Sequence, residues 1–208
     1  MNNKKSRYMV IIVLLVSVVA LSLGYATFTK TLTISDISAT TAISFDVAFS
    51  KAATSASPGA LTATLSPTTG GPTAGSATVA ATTVSGIKAN FTAPNQTVTY
   101  TFYARNIGQV PAYLNTVNIG SKTCSAGGAN PASTANINAA CSGISVSVKV
   151  GSATAYNETT TGISSHKLDK GGNEKVVVTI SYADGAALAD GTFNVAIGDI
   201  TLLYGSVD

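Results

Sequence analysis

The sequence has no tryptophan, one histidine and two cysteines, and only 10% of its 208 residues are charged. Each shortage removes a class of function. With a single histidine, His166, there is no HExxH pair, so a zinc-protease mechanism has no ligand set. His166 stands in GISSHKLDKGG beside Ser164, Ser165 and Asp169. A hydrolytic triad needs nucleophile, base and orienting carboxylate to converge in space, and nearness in sequence does not supply that. The position reads as a surface histidine in a turn. Cys124 and Cys141 lie in a neutral, polar stretch without histidine, a poor metal site. No catalytic, metal-binding or cofactor-binding residue is assigned, and an enzyme is not expected.

Excess charge of one sign is lacking too. The formal +3 comes from Lys4, Lys5 and Arg7 at the start of the chain; from Thr27 onward nine basic residues balance nine acidic ones. A neutral remainder implies no basic face, which argues against a nucleic-acid partner. Long hydrophobic runs are limited to one, and no helical periodicity continues beyond residue 26.

That one run has three parts: a cationic start, an apolar stretch from Met9 to Leu23, and small residues at Gly24 and Ala26 flanking Tyr25. Fifteen helical residues reach about 22 Å, short of a hydrocarbon core of roughly 30 Å. Counted from Tyr8 to Phe28 the segment would just span, with Tyr8 and Tyr25 at the interfaces. Residues 1–26 are therefore either a signal peptide, removed by signal peptidase at a site formed by Gly24, Ala26 and Thr27, or a retained anchor with its N-terminus inside. Either outcome carries residues 27–208 out of the cytoplasm, and membrane contact is confined to residues 1–26. The expected location is secreted, extracellular or cell surface.

An oxidising destination permits a Cys124–Cys141 disulfide. It would close 16 intervening residues, SAGGANPASTANINAA, which read as a polar loop. The loop-entropy model gives such a bridge about 3 kcal/mol. Two unpaired thiols are the alternative.

What the chain has in abundance is threonine and serine, 29 and 23 residues, interleaved with apolar residues at every second position. Ile43, Phe45, Val47 and Phe49 share one face of AISFDVAFS; Leu61, Ala63 and Leu65 follow. Val98, Tyr100, Phe102 and Ala104 alternate with threonines in QTVTYTFYAR. Ile144 to Val150, Val176 to Tyr182, and Phe193 to Ile197 repeat the pattern, and it resumes at Ile200, Leu202 and Tyr204. Period-two patterning with one apolar face predicts half-buried strands. Turn-formers such as APNQ, DKGGNE and ADGAALADG separate them, and residues 52–78 read as a Pro/Gly/Ser/Thr-rich loop. The expected fold is all-β: one antiparallel β-sandwich over 27–208, jelly-roll or immunoglobulin-like, preceded by a hydrophobic signal or anchor helix.

Asp184-Gly185 and Asp190-Gly191 are turn signals first; with Asp199 they could meet at one end of a sandwich and take calcium, a weak pattern. Asn90, Asn95 and Asn157 begin glycosylation-type tripeptides that a threonine-rich chain generates by chance.

Two stretches are more specific. FTAPNQTVTYTFYARNIGQVPAYLNTVNI, residues 91–119, resembles the surface β-sandwich modules of bacterial envelope proteins, which bind or build far more often than they catalyse. An ordinary hairpin in a generic sandwich also fits it. LSLGYATFTKTLTIS followed by ATTAISFDVAF resembles the precursors of the TasA/camelysin family, through Gly24, Ala26, Phe28, the run Ser44-Phe45-Asp46-Val47 and, more loosely, Asn106, Gly108 and Pro111. The resemblance covers about 20–50 and 91–113. It implies a signal peptide of the SipW-dependent type, a jelly-roll-like sandwich, secretion and assembly into biofilm-matrix fibres. Some members carry a metalloprotease label, for which this chain has no zinc motif. The cysteine pair and SPTTGGPTAGS depart from the family pattern.

The resemblance and the pattern of residues 27–35 suggest a mechanism. Thr27, Thr29, Thr31, Thr33 and Ser35 alternate with Phe28, Lys30, Leu32 and Ile34. A strand at the mature N-terminus can pair with an unpaired edge in a neighbour, and head-to-tail exchange of that kind gives a filament. Folded into its own sheet, the same strand leaves a monomeric surface or adhesion module.

Overall fold

The structure is a computed structural model and describes residues 44–163 and 166–206. Gly24, Ala26 and Thr27 of the cleavage site, Phe28, Lys30, Leu32 and Ile34 of the N-terminal strand, and Ile43 lie outside the described residues.

The chain runs through β1 (Val47–Ser50), β2 (Gly59–Leu61), β3 (Ala63–Ser66), β4 (Thr73–Ala74), β5 (Ala77–Val79), β6 (Val84–Ser85), β7 (Lys88–Phe91) and β8 (Gln96–Asn106). It continues with β9 (Ala112–Asn118), β10 (Lys122–Ala126), helix α1 (Thr134–Ser142) and β11 (Ile144–Val150). The last part holds β12 (Thr160–Thr161), β13 (Lys167–Leu168), β14 (Asn173–Tyr182), β15 (Phe193–Ile197) and β16 (Thr201–Gly205). All pairings between these strands are antiparallel.

The alternation in QTVTYTFYARN produces the longest strand, β8. Val98, Tyr100, Phe102 and Ala104 are fully buried while the threonines between them face outward. β8 pairs with β14 from Gln96↔Tyr182 to Arg105↔Asn173. β14 carries β11, and the other edge of β8 carries β1 and β3 in succession. A second sheet has the order β10-β15-β7-β4; in a third, β9 takes β16 on one edge and β12 and β13 on the other; β2, β5 and β6 form a fourth. These sheets share one hydrophobic core. Phe91 of β7, Tyr182 of β14 and Phe193 of β15 meet there with ring centroids 5.4–6.1 Å apart. Each such ring contributes roughly 1.5–3 kcal/mol by leaving water. The Tyr100 hydroxyl, carried into the core by β8, lies 2.5 Å from the Lys88 carbonyl and 3.0 Å from that of Gly75, so its polarity is satisfied.

Three sequence expectations need correction. Residues 52–78 are not one loop: β2, β3, β4 and the start of β5 lie within them, and Ala77 is fully buried. These strands are two to four residues long and, apart from Leu61, Leu65 and Val79, built of small or polar residues, so the brief Leu61, Ala63, Leu65 alternation was outweighed by the turn-formers around it. The stretch between the cysteines contains helix α1, with Ile137 and Ala140 in the core. Its three alanines favour a helix but its Thr, Asn and Ser do not, and burial of that pair with the bridge to β10 holds it. Finally, AISFDVAFS becomes strand only from Val47, leaving Phe45 40% exposed. Ser50 is buried despite pointing away from Phe49, because its hydroxyl donates to Ser55 O (2.6 Å) and accepts from Ala52 N (3.1 Å) and Ser57 N (3.0 Å), folding the next turn over it.

The turn after β8 has a definite job. Buried Asn106 donates from Nδ2 to Val110 O (2.8 Å) and Leu168 O (3.1 Å) and accepts at Oδ1 from Gly108 N (3.0 Å). The turn then lies against the chain entering β1: Ile107 N and Gly108 N donate to Asp46 O, and Gln109 N to Ser44 O (2.7 Å). A Cβ at Gly108 would fall 2.5 Å from Ser44 O, so only glycine permits this approach. The two stretches singled out by motif therefore touch. No helix among the described residues is long and apolar enough to cross a membrane.

Candidate functional site

Among the described residues, β1 pairs only with β8 and β16 only with β9, so each is the outer strand of its sheet. Between them lies an open groove of about 280 Å³, with Phe45, Val47 and Phe49 on one wall and Leu202, Leu203 and Tyr204 on the other. Phe45 and Leu203, at its mouth, are 40% and 56% exposed. Large apolar side chains at two neighbouring strand edges are what an added strand would cover.

Behind the β16 wall is a buried polar cluster. Glu174 Oε2 is 2.5 Å from His166 Nε2, and Glu174 Oε1 accepts from the Tyr204 hydroxyl at 2.5 Å. The side chains of His166 and Glu174 are only 16% and 10% exposed. Burial, reinforced by the Glu174 carboxylate, pushes the Tyr204 hydroxyl well above the usual tyrosine range, keeping it a neutral donor. Gly151, at φ 55°, passes so close that a Cβ there would fall 2.8 Å from Glu174 Oε2. His166 is thus a partner in the interior and not the surface turn residue expected from its neighbours. Asp169 is paired with Lys167 at 2.7 Å, and Ser164 and Ser165 lie outside the described residues. Glu174, with His166 Nε2 and the Tyr204 hydroxyl at hydrogen-bond distance, ties β14 to β16 and to the residue entering β13.

The opposite edge of the β8 sheet is cross-linked to the second sheet. The Cys124–Cys141 disulfide, Cα–Cα 6.1 Å, pins α1 to β10, the outer strand of the second sheet. Lys122 Nζ donates to Cys141 O (2.7 Å) and Ile144 O (2.6 Å), joining the end of α1 to the start of β11, the outer strand of the β8 sheet. Burial lowers the Lys122 pKa, and the two carbonyls accept hydrogen bonds from its ammonium. At the other end of α1, Asp190 Oδ1 accepts from Ser133 N (2.8 Å), which holds this carboxyl below its usual range.

Asp190 is thereby committed to the helix start, and Asp184 accepts from Gly185 N (3.1 Å). Among the described residues no group of three or more His, Cys, Asp or Glu is arranged to hold a metal, so the three aspartates do not form the calcium cluster considered from sequence. Of the glycosylation-type asparagines, Asn90 donates to Thr73 Oγ1 (2.9 Å), while Asn95 and Asn157 are exposed.

Sequence reading passed over Glu174 and Lys122. For Glu174 a signal existed: it shares parity with Val176, Val178 and Ile180, and a carboxylate on an apolar face needs a buried partner. Lys122 offered none.

The chain matches no protein-family model, no curated protein and no solved structure. Its class rests on what is described above: an antiparallel all-β protein with one disulfide and one short helix among the described residues, and with an open groove between β1 and β16.

Proposed function

We propose that this chain is an extracellular structural protein of the TasA/camelysin type, a subunit of a cell-surface or biofilm-matrix filament. Its sheets, on this reading, form a jelly-roll-like sandwich, and residues 27–35 of one copy occupy the groove of the next. The groove between β1 and β16 carries the proposal, because it sets exposed apolar side chains beside the outer strands of two sheets; on the β1 side Phe49 N is already bonded to Ala81 O (2.7 Å), so an added strand would be held there mainly by its side chains. Phe28, Leu32 and Ile34 supply an apolar face for it, with Lys30 at the rim and only its stem covered. Signal peptidase releases the strand by cutting near Ala26, and the disulfide suits an oxidising exterior.

The test is electron microscopy of the secreted protein, with its N-terminal residue fixed by mass spectrometry. Filaments from a chain beginning near Thr27 support the proposal. Leu32→Asp with Ile34→Asp should then abolish filaments and leave a folded monomer. Loss of folding in that double variant would place the strand in its own sheet and make the protein a monomeric surface module.

A further inference from the structure

The sheet built on β8 has a second face, which the core does not use. Register sets its residues in rows across the strands: Thr97, Ser181 and Ser145 form one, and Thr99, Thr179 and Ser147 the next. Strands lie about 4.8 Å apart and alternate residues about 6.8 Å along a strand, so the hydroxyls form a regular grid. Each hydroxyl both donates and accepts. Threonine suits a strand wherever it faces water, and the grid alone would signify only that.

The charges add something propensity does not supply. Lys149 is opposite Val177, Lys175 opposite Tyr103, and Arg105 opposite Asn173. Lys175 is thus diagonal to both Lys149 and Arg105, and diagonal neighbours lie roughly 7–8 Å apart. No Asp or Glu points to this face from β1, β3, β8, β14 or β11; the one acidic residue in these strands, Glu174, faces the core. The ion pairs among the described residues, His166–Glu174 and Lys167–Asp169, involve none of the three cations. Lys149 and Lys175 are exposed, and Arg105 is half-buried. A chain whose charges balance from Thr27 onward has gathered three like charges at one end of a hydroxyl grid.

We infer that this face binds an anionic polysaccharide, its carboxylates at Arg105, Lys149 and Lys175 and its hydroxyls along the threonine and serine rows. Charge complementarity selects an acidic polymer, and the grid selects one rich in hydroxyls. Nucleic acid fits less well: Tyr103 is the one aromatic side chain on the face, and three cations neutralise few phosphates. The inference does not depend on the filament reading.

The experiment is calorimetric titration of the secreted protein with polygalacturonate at low salt, with neutral dextran and a DNA duplex as separate arms. Binding to polygalacturonate that weakens with added salt, and exceeds binding to dextran and DNA, is the expected result. Lys149→Gln with Lys175→Gln should weaken it about fivefold. Thr99→Val with Thr179→Val should weaken it with the salt dependence retained. Lys88→Gln, an exposed lysine on another sheet, should leave it unchanged. No binding, equal binding to dextran or to DNA, or an unaltered titration in the double-lysine variant with its melting temperature preserved would overturn the proposal.

Discussion

Glu174 is the residue on which most depends for its size. Removing the Tyr204 hydroxyl by Tyr204→Phe leaves Glu174 Oε1 buried without that donor, a loss expected to cost about 1–3 kcal/mol in urea unfolding. The same hydroxyl sets an alkaline limit. Its pKa is raised on folding, so above about pH 10 the unfolded chain releases the proton while the folded one retains it. Stability contributed by the neutral hydroxyl is therefore complete below that pH and declines as pH rises. Burial raises the Tyr100 and Tyr182 hydroxyls in the same direction, so the decline should be shallower, not absent, in Tyr204→Phe. Melting temperatures from pH 8 to 11 for the two proteins measure it, and identical slopes would contradict the argument.

At the scale of elements, helix α1 shows where sequence stops being sufficient. β8 and β14 were legible because ten or so residues of strict alternation leave no other way to bury Tyr100, Phe102, Val178 and Ile180 together. The helix was not, since Ile137 and Ala140 are its only buried residues and its cohesion comes from Cys124, Lys122 and Asp190, all distant in the chain. The groove was half legible: Phe45 and Val47 stood out, but that β16 would be their neighbour is a property of topology. Replacing both cysteines with serine should lower stability by about 3 kcal/mol or less and keep the far-ultraviolet spectrum of an all-β protein, because the β8–β14 ladder lies outside the bridged loop. Asp190→Ala should lower it slightly. In the wild type that contribution should be present above the ordinary carboxylate range and fade as acid protonates Asp190 at its depressed pKa, which thermal melts from pH 5 to 2 would follow.

For the whole molecule, the two sides of the core are finished differently. One is braced by a helix, a disulfide and a lysine; the other ends in the β1–β16 groove. Phe45 and Leu203 already face solvent at its mouth, so Phe45→Asp with Leu203→Asp should change the melting temperature little while preventing filament formation by sedimentation and microscopy. A variant that melts far lower would mean that the groove is part of the domain's own core.

The turn at Gly108 also bears on how the molecule carries load. Tension on the chain ahead of Ser44 reaches the domain where Ile107, Gly108 and Gln109 grip the carbonyls of Asp46 and Ser44. Only beyond that grip does it meet the four-residue ladder of β1, and then β8, the strand paired most extensively. Peeling β1 from its end thus requires the turn to let go first. The glycine that allows so close an approach makes the turn a mechanical clasp, set at the point where the N-terminal segment joins the domain.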